Sequence, residues 1–248
     1  MSSKGGSPIS RRAWLGATTG AVAAGLIKTQ ADAFKLDAQE VQVAADPTKV
    51  PGRLVSEPGQ RAPREQPRRL ARRPGLSSSS GTPLQDLCGT ITPSDLHFER
   101  HHAGIPTIDS DEHELLVHGM VDRPTVFRMA DLKRYPEASR IHFVECSGNG
   151  GGAYNPERMR TEMSPQSLDG LLSNSEWTGV MLSTILQEVG VQPGASWVLA
   201  EGRDAAMLSR SIPLAKAMDD AMLAYGQNGE AIRPEQGYPL RLALPGWE

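Results

Sequence analysis

The stretch Arg140-Ile141-His142-Phe143-Val144-Glu145-Cys146-Ser147-Gly148-Asn149-Gly150-Gly151-Gly152 holds two local signals in succession. Through Glu145 it alternates like a β-strand, with Ile141 and Phe143 on one face; from Cys146 onward the glycines and Asn149 dictate a loop. Short strands are predicted on both sides of it. Glu114–His118 is ended by Gly119, Ser196–Ala200 and Met222–Tyr225 follow, and Tyr238–Leu244 reads as the return strand after the hairpin signal Asn228-Gly229. Helices are brief and irregularly placed: Met129–Tyr135 is stopped by Pro136, Val180–Val189 carries one apolar face and is capped by Gly190, and Leu214–Met218 is a single turn or so. No βαβ rhythm runs through the chain, which excludes a Rossmann or barrel fold, and the class is α+β.

The 248 residues carry 26 Lys+Arg against 29 Asp+Glu, a net charge of −3, 5% aromatics and two cysteines. Two cysteines make no disulfide scaffold, and no apolar run reaches the ~18–20 residues of a membrane span. A near-neutral total argues against a nucleic-acid partner. The total hides a division, because residues 1–83 hold 13 basic and 6 acidic residues whereas 84–248 hold 13 and 23.

The first segment, residues 1–33, reads as an address. Paired arginines in Ser10-Arg11-Arg12-Ala13-Trp14-Leu15-Gly16 precede an Ala/Gly-rich apolar stretch to Ile27, and Ala31-Asp32-Ala33 offers a cleavage site. This predicts export to the periplasm by the twin-arginine route, which carries proteins already folded and so hints at a cofactor inserted beforehand. Residues 34–83 read as a tether. Between Ala44 and Pro83 there are seven prolines, seven arginines and the run Ser77-Ser78-Ser79-Ser80, a composition that predicts extended or disordered chain. Arg68-Arg69 with Arg72-Arg73 offers a second use, docking to an acidic partner. The folded domain is expected over 84–248, and the ending Pro245-Gly246-Trp247-Glu248 directly after an apolar strand predicts a fragment.

Cys146 is the leading candidate for chemistry. At the mouth of a glycine loop a thiolate can serve as a soft metal ligand or as a nucleophile; the plain alternative is an inert buried cysteine. All six histidines fall between 97 and 142, and His97 and His101 have helical metal-ligand spacing, so zinc held with Cys88 or His113 is a further possibility. Arg100 beside these histidines suits an oxyanion or phosphate, or else an ion pair with Glu99 or Glu145. Arg241 stands in a strand that otherwise reads apolar. Burying it requires an anionic partner, unless the position faces outward.

Taken together, these pieces resemble the molybdopterin-binding domain of the sulfite oxidase family. His97-Phe98-Glu99-Arg100-His101-His102-Ala103-Gly104-Ile105-Pro106 resembles that family's Phe-x-Arg-Asn-His segment, and Cys146-Ser147-Gly148-Asn149 its Cys-Ala-Gly-Asn loop. Ser211-Ile212-Pro213-Leu214, Ala224-Tyr225 with Asn228-Gly229, and Gly237-Tyr238-Pro239-Leu240-Arg241 follow in the family's order. Within the family, Phe-Glu-Arg-His-His-Ala-Gly-Ile-Pro, Glu-Cys-Ser-Gly-Asn-Gly and Leu-Pro-Gly-Trp-Glu are most similar to the molybdenum subunits of sulfane dehydrogenases, which act in thiosulfate oxidation.

The resemblance implies an oxidoreductase with a molybdenum-molybdopterin cofactor. Cys146 would be the molybdenum ligand and a catalytic residue; Phe98, His102, Asp204 and Arg241 would hold the pterin and its phosphate; Arg100 would face the oxyanion of substrate. It also implies a c-type cytochrome subunit as electron acceptor, a sulfur-carrier protein as substrate bearer, and homodimerisation through an immunoglobulin-like C-terminal domain that is missing here. With the family's lysine-tryptophan segment also missing beyond Glu248, the fragment itself is expected to be inactive. Three departures matter. The family's arginine after the Cys-Ala-Gly-Asn loop is Gly150, its tyrosine before Gly-Ala-Ser-Ile-Pro is Leu208, and its histidine in His-Gly-Phe-Pro-Val-Arg is Gln236. Loss of a cation and a phenol weakens the case for free sulfite and favours sulfane sulfur on a carrier's thiol arm. Sulfite dehydrogenase of the same fold, or a cofactor-free binding module, are the competing readings.

Overall fold

The computed structural model describes residues 54–56, 58–72, 74–154 and 163–247. Two compact units divide after Gly59, the second running from Gln60 to Glu248. The twin-arginine segment 1–33 lies outside the described residues.

At the centre of the second unit is a five-stranded antiparallel sheet. Its strands are β6 (Ala138–Glu145), β7 (Leu172–Met181), β10 (Met222–Gln227), β11 (Glu230–Ala231) and β12 (Arg241–Ala243). They lie in the order β11-β10-β7-β6, and β12 shares with β11 the other edge of β10. Around them are three small sheets: β1 (Leu70–Ala71), β2 (Ser79–Gly81) and β3 (Glu99–Arg100); β4 (Glu114–Val117) with β5 (Thr125–Arg128); and β8 (Trp197–Glu201) with β9 (Ser209–Pro213). The helices are α1 (Met129–Leu132), α2 (Pro165–Asp169), α3 (Leu182–Val189) and α4 (Leu214–Asp219).

The longest strand, β7, escapes hydropathy. Its buried positions alternate as a strand requires, but Ser173 and Ser175 occupy two of them beside Trp177 and Gly179. Those hydroxyls are satisfied internally, Ser173 sharing a hydrogen bond with Thr82 at 2.6 Å and Ser175 accepting one from the Gln227 amide at 3.0 Å. The helix expected over 180–189 starts instead at Leu182, because Val180 and Met181 still pair with Leu223 and Met222 of β10. From there Leu182, Ile185, Leu186 and Val189 are buried, the i, i+3, i+4, i+7 stripe of an amphipathic helix, each contributing roughly 1.5–3 kcal/mol of apolar burial. Gly190 then ends the helix at φ 69°.

Asn228-Gly229 makes the expected turn, both residues at positive φ, but it leads into β11 rather than into Tyr238–Leu244. That later segment returns as β12 and pairs with the first half of β10, Met222 opposite Ala243 and Ala224 opposite Arg241. Alternation along β10 divides the core. Leu223 joins α3, Phe127, Leu132 and Ile212 on one face, whereas Met222 and Ala224 join Trp177, Ile232 and Ala243 on the other.

The boundary expected at residue 83 is corrected. Leu70 and Ala71 pair with Gly81 and Ser80, and Ser79 and Ser80 pair with Arg100 and Glu99. Ser80 and Thr82 are buried. Of the serines that suggested a tether, Ser79 and Ser80 are strand residues, and the Ser80 hydroxyl donates to Glu99 at 2.7 Å.

Candidate functional site

Three elements converge on one cleft of about 260 Å³. Segment 98–100 supplies Phe98 and Arg100, the end of β6 supplies Glu145 and Cys146, and segment 235–247 supplies Glu235, Gln236, Arg241 and Trp247. Four of the residues expected at a site, Phe98, Arg100, Cys146 and Arg241, therefore line the same cavity although 143 positions separate the outermost two. His102 and Asp204 do not line it. His102 is exposed just beyond β3, and Asp204 sits in the β8–β9 loop, where its Oδ1 accepts the Met207 amide at 3.2 Å.

The loop after β6 is pinned at several points. Cys146 donates its backbone N–H to Leu171 and accepts from Asn149 at 2.7 Å, while Gly150 donates to Leu168. The Asn149 side chain bridges outward, donating to Glu145 at 3.0 Å and accepting from the Leu171 amide at 3.0 Å. Gly150 adopts a φ of 70°, the left-handed region that glycine enters without steric cost. The half-buried Cys146 thiol is thus presented on a rigid turn.

Arg241 is the cleft's principal cation. Its guanidinium carbon lies 5.0 Å from the centre of the Trp177 ring, and Nη1 donates to the backbone and side-chain oxygens of Gln236 at 3.1 and 3.2 Å. Among the described residues no carboxylate lies within ion-pairing distance of it. Burial pushes its pKa down to about 10, so it stays charged at neutral pH. Gln236, standing where the family has histidine, is buried and also donates to the Phe98 carbonyl at 2.7 Å. The Gln236 side chain thus ties Arg241 to the Phe98 backbone.

His97 lies fully buried behind this wall, stacked on Phe98 at 5.1 Å and edge-on to Trp177 at 5.7 Å. Burial, and then Arg241, push its pKa down to about 3, so the ring is neutral. Its Nδ1 meets the Phe98 carbonyl at 2.9 Å, while Nε2 is buried without a partner. His97 ends a 3-10 turn and His101 follows β3, so the helical spacing imagined for zinc is not realised. Among the described residues no cluster of three or more His, Cys, Asp or Glu suits a metal ion. Arg100 is exposed and makes neither expected ion pair; it donates to the carbonyls of Ser78 and His101.

A soft sulfur donor, a half-buried guanidinium and a nearby buried imidazole nitrogen, the last two without an anionic or hydrogen-bonding partner respectively among the described residues, make a chemically consistent set. They suit a sulfur-ligated metal carried on an anionic, phosphate-bearing group.

Comparison with known proteins agrees. The oxidoreductase molybdopterin binding domain family matches residues 102–248. The mitochondrial sulfite oxidase of Drosophila melanogaster is 34% identical over 170 residues, 62% of this chain and 28% of that protein. The NADH nitrate reductase of Ulva prolifera is 31% identical over 173 residues, 64% of this chain and 20% of that protein. The sulfane dehydrogenase SoxCD of Paracoccus pantotrophus has a solved structure that superposes with a TM-score of 0.73 at 38% identity, covering 81% of this chain and 52% of that one. The chain thus spans about half of that solved chain and between 20% and 28% of these two curated relatives. The fold is that of a molybdopterin-binding domain of the sulfite oxidase and nitrate reductase type. The chain belongs to the oxidoreductase molybdopterin-binding domain family.

Proposed function

We propose that the protein is the molybdenum-bearing part of a sulfane dehydrogenase, oxidising sulfane sulfur held on a carrier protein's thiol. Each oxygen gained by sulfur comes from water and releases two electrons and two protons; the electrons pass to a c-type cytochrome subunit. The paired arginines of the N-terminal segment support export by the twin-arginine route to the periplasm. Homodimerisation belongs to the same proposal.

When bound, the molybdenum-molybdopterin group supplies two-electron redox and oxygen-transfer chemistry. Cys146 would hold the metal, with Arg241 and Phe98 beside the pterin, and the Asn149 bridge fixes the thiol's position before any ligand arrives. Arg100 stands at the rim, where it meets an oxyanion as product forms.

The loop beside Cys146 carries the choice of substrate. Gly150 puts no cation at the mouth, and a Cβ built there would meet Asp169 Oδ1 at 3.6 Å. With Glu145 alongside, the loop side of the mouth offers a small free dianion no cation and tolerates a neutral sulfur on an arm. Neither Leu208 nor Gly150 lines the cleft itself, and the argument rests on Gly150 because it belongs to the turn that presents Cys146. The 38% identity to the sulfane dehydrogenase structure supports the same reading. Steady-state turnover with carrier-bound thiosulfate should exceed that with free sulfite, free thiosulfate or nitrate. Efficient oxidation of free sulfite without carrier would replace this reading by sulfite dehydrogenase, which the Drosophila relative favours.

A further inference from the structure

Arg69 comes from the segment that reads as a tether, well upstream of the residues matching the family. In the fold it reaches the cleft wall. Its Nη1 donates to the His97 carbonyl at 3.3 Å and lies 3.6 Å from Glu99 Oε1, while Nη2 lies 3.7 Å from Glu235 Oε1. The two carboxylates line the cleft from different elements, Glu99 on β3 and Glu235 on the turn whose next residue, Gln236, holds Arg241. The third carboxylate of the cleft, Glu145, accepts the Asn149 amide. Each acidic group in the cavity is therefore engaged elsewhere, and Arg241 and Arg100 are left without one.

We propose that Arg69 is a positioning residue: by holding Glu99 and Glu235 it keeps Arg241 and Arg100 available to the anionic, phosphate-bearing ligand of the cleft. The identity of that ligand rests on the molybdopterin reading. Removal of Arg69 leaves Glu235 without its ion pair, and Glu99 with only Ser80 at 2.7 Å and His101 at 2.9 Å, beside the cleft. The two carboxylates either repel the incoming phosphate or capture the guanidiniums intended for it. Both carboxylates are only 16% exposed at their side chains, so solvent does little to screen them.

The test uses the metal-free full-length chain titrated with inorganic pyrophosphate by calorimetry, with thermal unfolding followed in parallel. Arg69→Gln is expected to weaken pyrophosphate binding by about tenfold, and Arg241→Gln to abolish it. Arg69→Lys, which keeps the charge, should recover most of the affinity, as should Arg69→Gln combined with Glu99→Gln and Glu235→Gln, which removes the charges together. Were Arg69 merely a strut for β1, neither compensated variant would bind better than Arg69→Gln. Unchanged affinity in Arg69→Gln, failure of both compensated variants, or no pyrophosphate binding by the parent overturns the proposal. Molybdenum and pterin content of the protein as purified from cells that make the cofactor separates the two claims. If pyrophosphate discriminates the variants as described but the parent carries neither metal nor pterin, the cofactor reading falls and the role of Arg69 stands.

Discussion

Arg241 shows how function and stability diverge at a single side chain. A guanidinium over Trp177 with only neutral amide oxygens as acceptors gains less than its desolvation costs until an anion arrives. Arg241→Met should therefore change the unfolding free energy of the metal-free protein by less than ~2 kcal/mol, read from denaturant titration, while removing cofactor retention. Cys146→Ser should likewise fold normally yet lose molybdenum in elemental analysis, since a hydroxyl is a poor substitute for a soft thiolate. Retained metal with unchanged electronic spectra would remove Cys146 as the ligand. His97 sets a pH dependence opposite in sign to that of a salt-bridged histidine. Its pKa is lowered to about 3 in the folded state, so the unfolded chain binds a proton that the folded one refuses. Stability is full above about pH 6.5 and is lost as pH falls from there toward 3, at up to ~1.4 kcal/mol per unit. His113, also lowered by burial and then Arg203, adds to the same slope. The lowered carboxylates of Asp95 and Glu99 act only at more acid pH. His97→Phe should flatten the stability profile between pH 6 and 4.5; a wild-type slope in that variant would assign the effect elsewhere. Cys146 was legible because a thiol on a glycine loop has few bland uses. The packing of His97 was not, since nothing in Leu96-His97-Phe98 distinguishes a buried ring from a ligand.

Among the elements, Glu114–Val117 and Ala138–Glu145 could be read directly as strands from their apolar alternation, although their Leu116, Ile141 and Phe143 are exposed, and Leu182–Val189 could be read as a helix that carries its burial in its hydropathy. β7 could not, although it is the strand on which the sheet is built. Its inward residues Ser173 and Ser175 are buried by virtue of partners 91 and 52 residues away, and a local window holds no trace of either. The one position in β7 whose identity is dictated sterically is Gly179. A Cβ there would lie 2.1 Å from the Leu223 carbonyl oxygen and 2.7 Å from Ala224 Cα, both backbone atoms of the paired strand. Gly179→Ala must then push β10 away from β7 and disturb the register that carries β12 and Arg241. The expected loss is about 2–4 kcal/mol of unfolding free energy, against under ~1 kcal/mol for Gly229→Ala at an open turn, where only the positive φ of 79° is at stake.

For the molecule as a whole, charge composition drew a boundary in the wrong place. The basic excess of residues 1–83 made everything before Leu84 look like address and tether, yet Gln60–Glu248 is one unit. Composition averages over neighbours, whereas what places Arg69, Ser80 and Thr82 in the fold is pairing with Glu99, Glu235 and Ser173 far along the chain. The two N-terminal edges therefore have different consequences. A chain beginning at Gln60 should unfold at a midpoint within a few degrees of the full-length protein, because no contact of the second unit is removed. A chain beginning at Leu84 loses β1 and β2 and leaves β3 unpaired. It also strips the partners from Glu99 Oε1 and Glu235 and leaves the buried Ser173 hydroxyl with the Phe98 amide alone, so that half-buried polar groups go unsatisfied at ~1–3 kcal/mol each. That chain should be markedly destabilised, with its cleft segment Phe98–Arg100 exchanging amide hydrogens freely while β7 and β10 stay protected. Equal midpoints and equal protection for the two truncations would return residues 60–83 to the status of a linker.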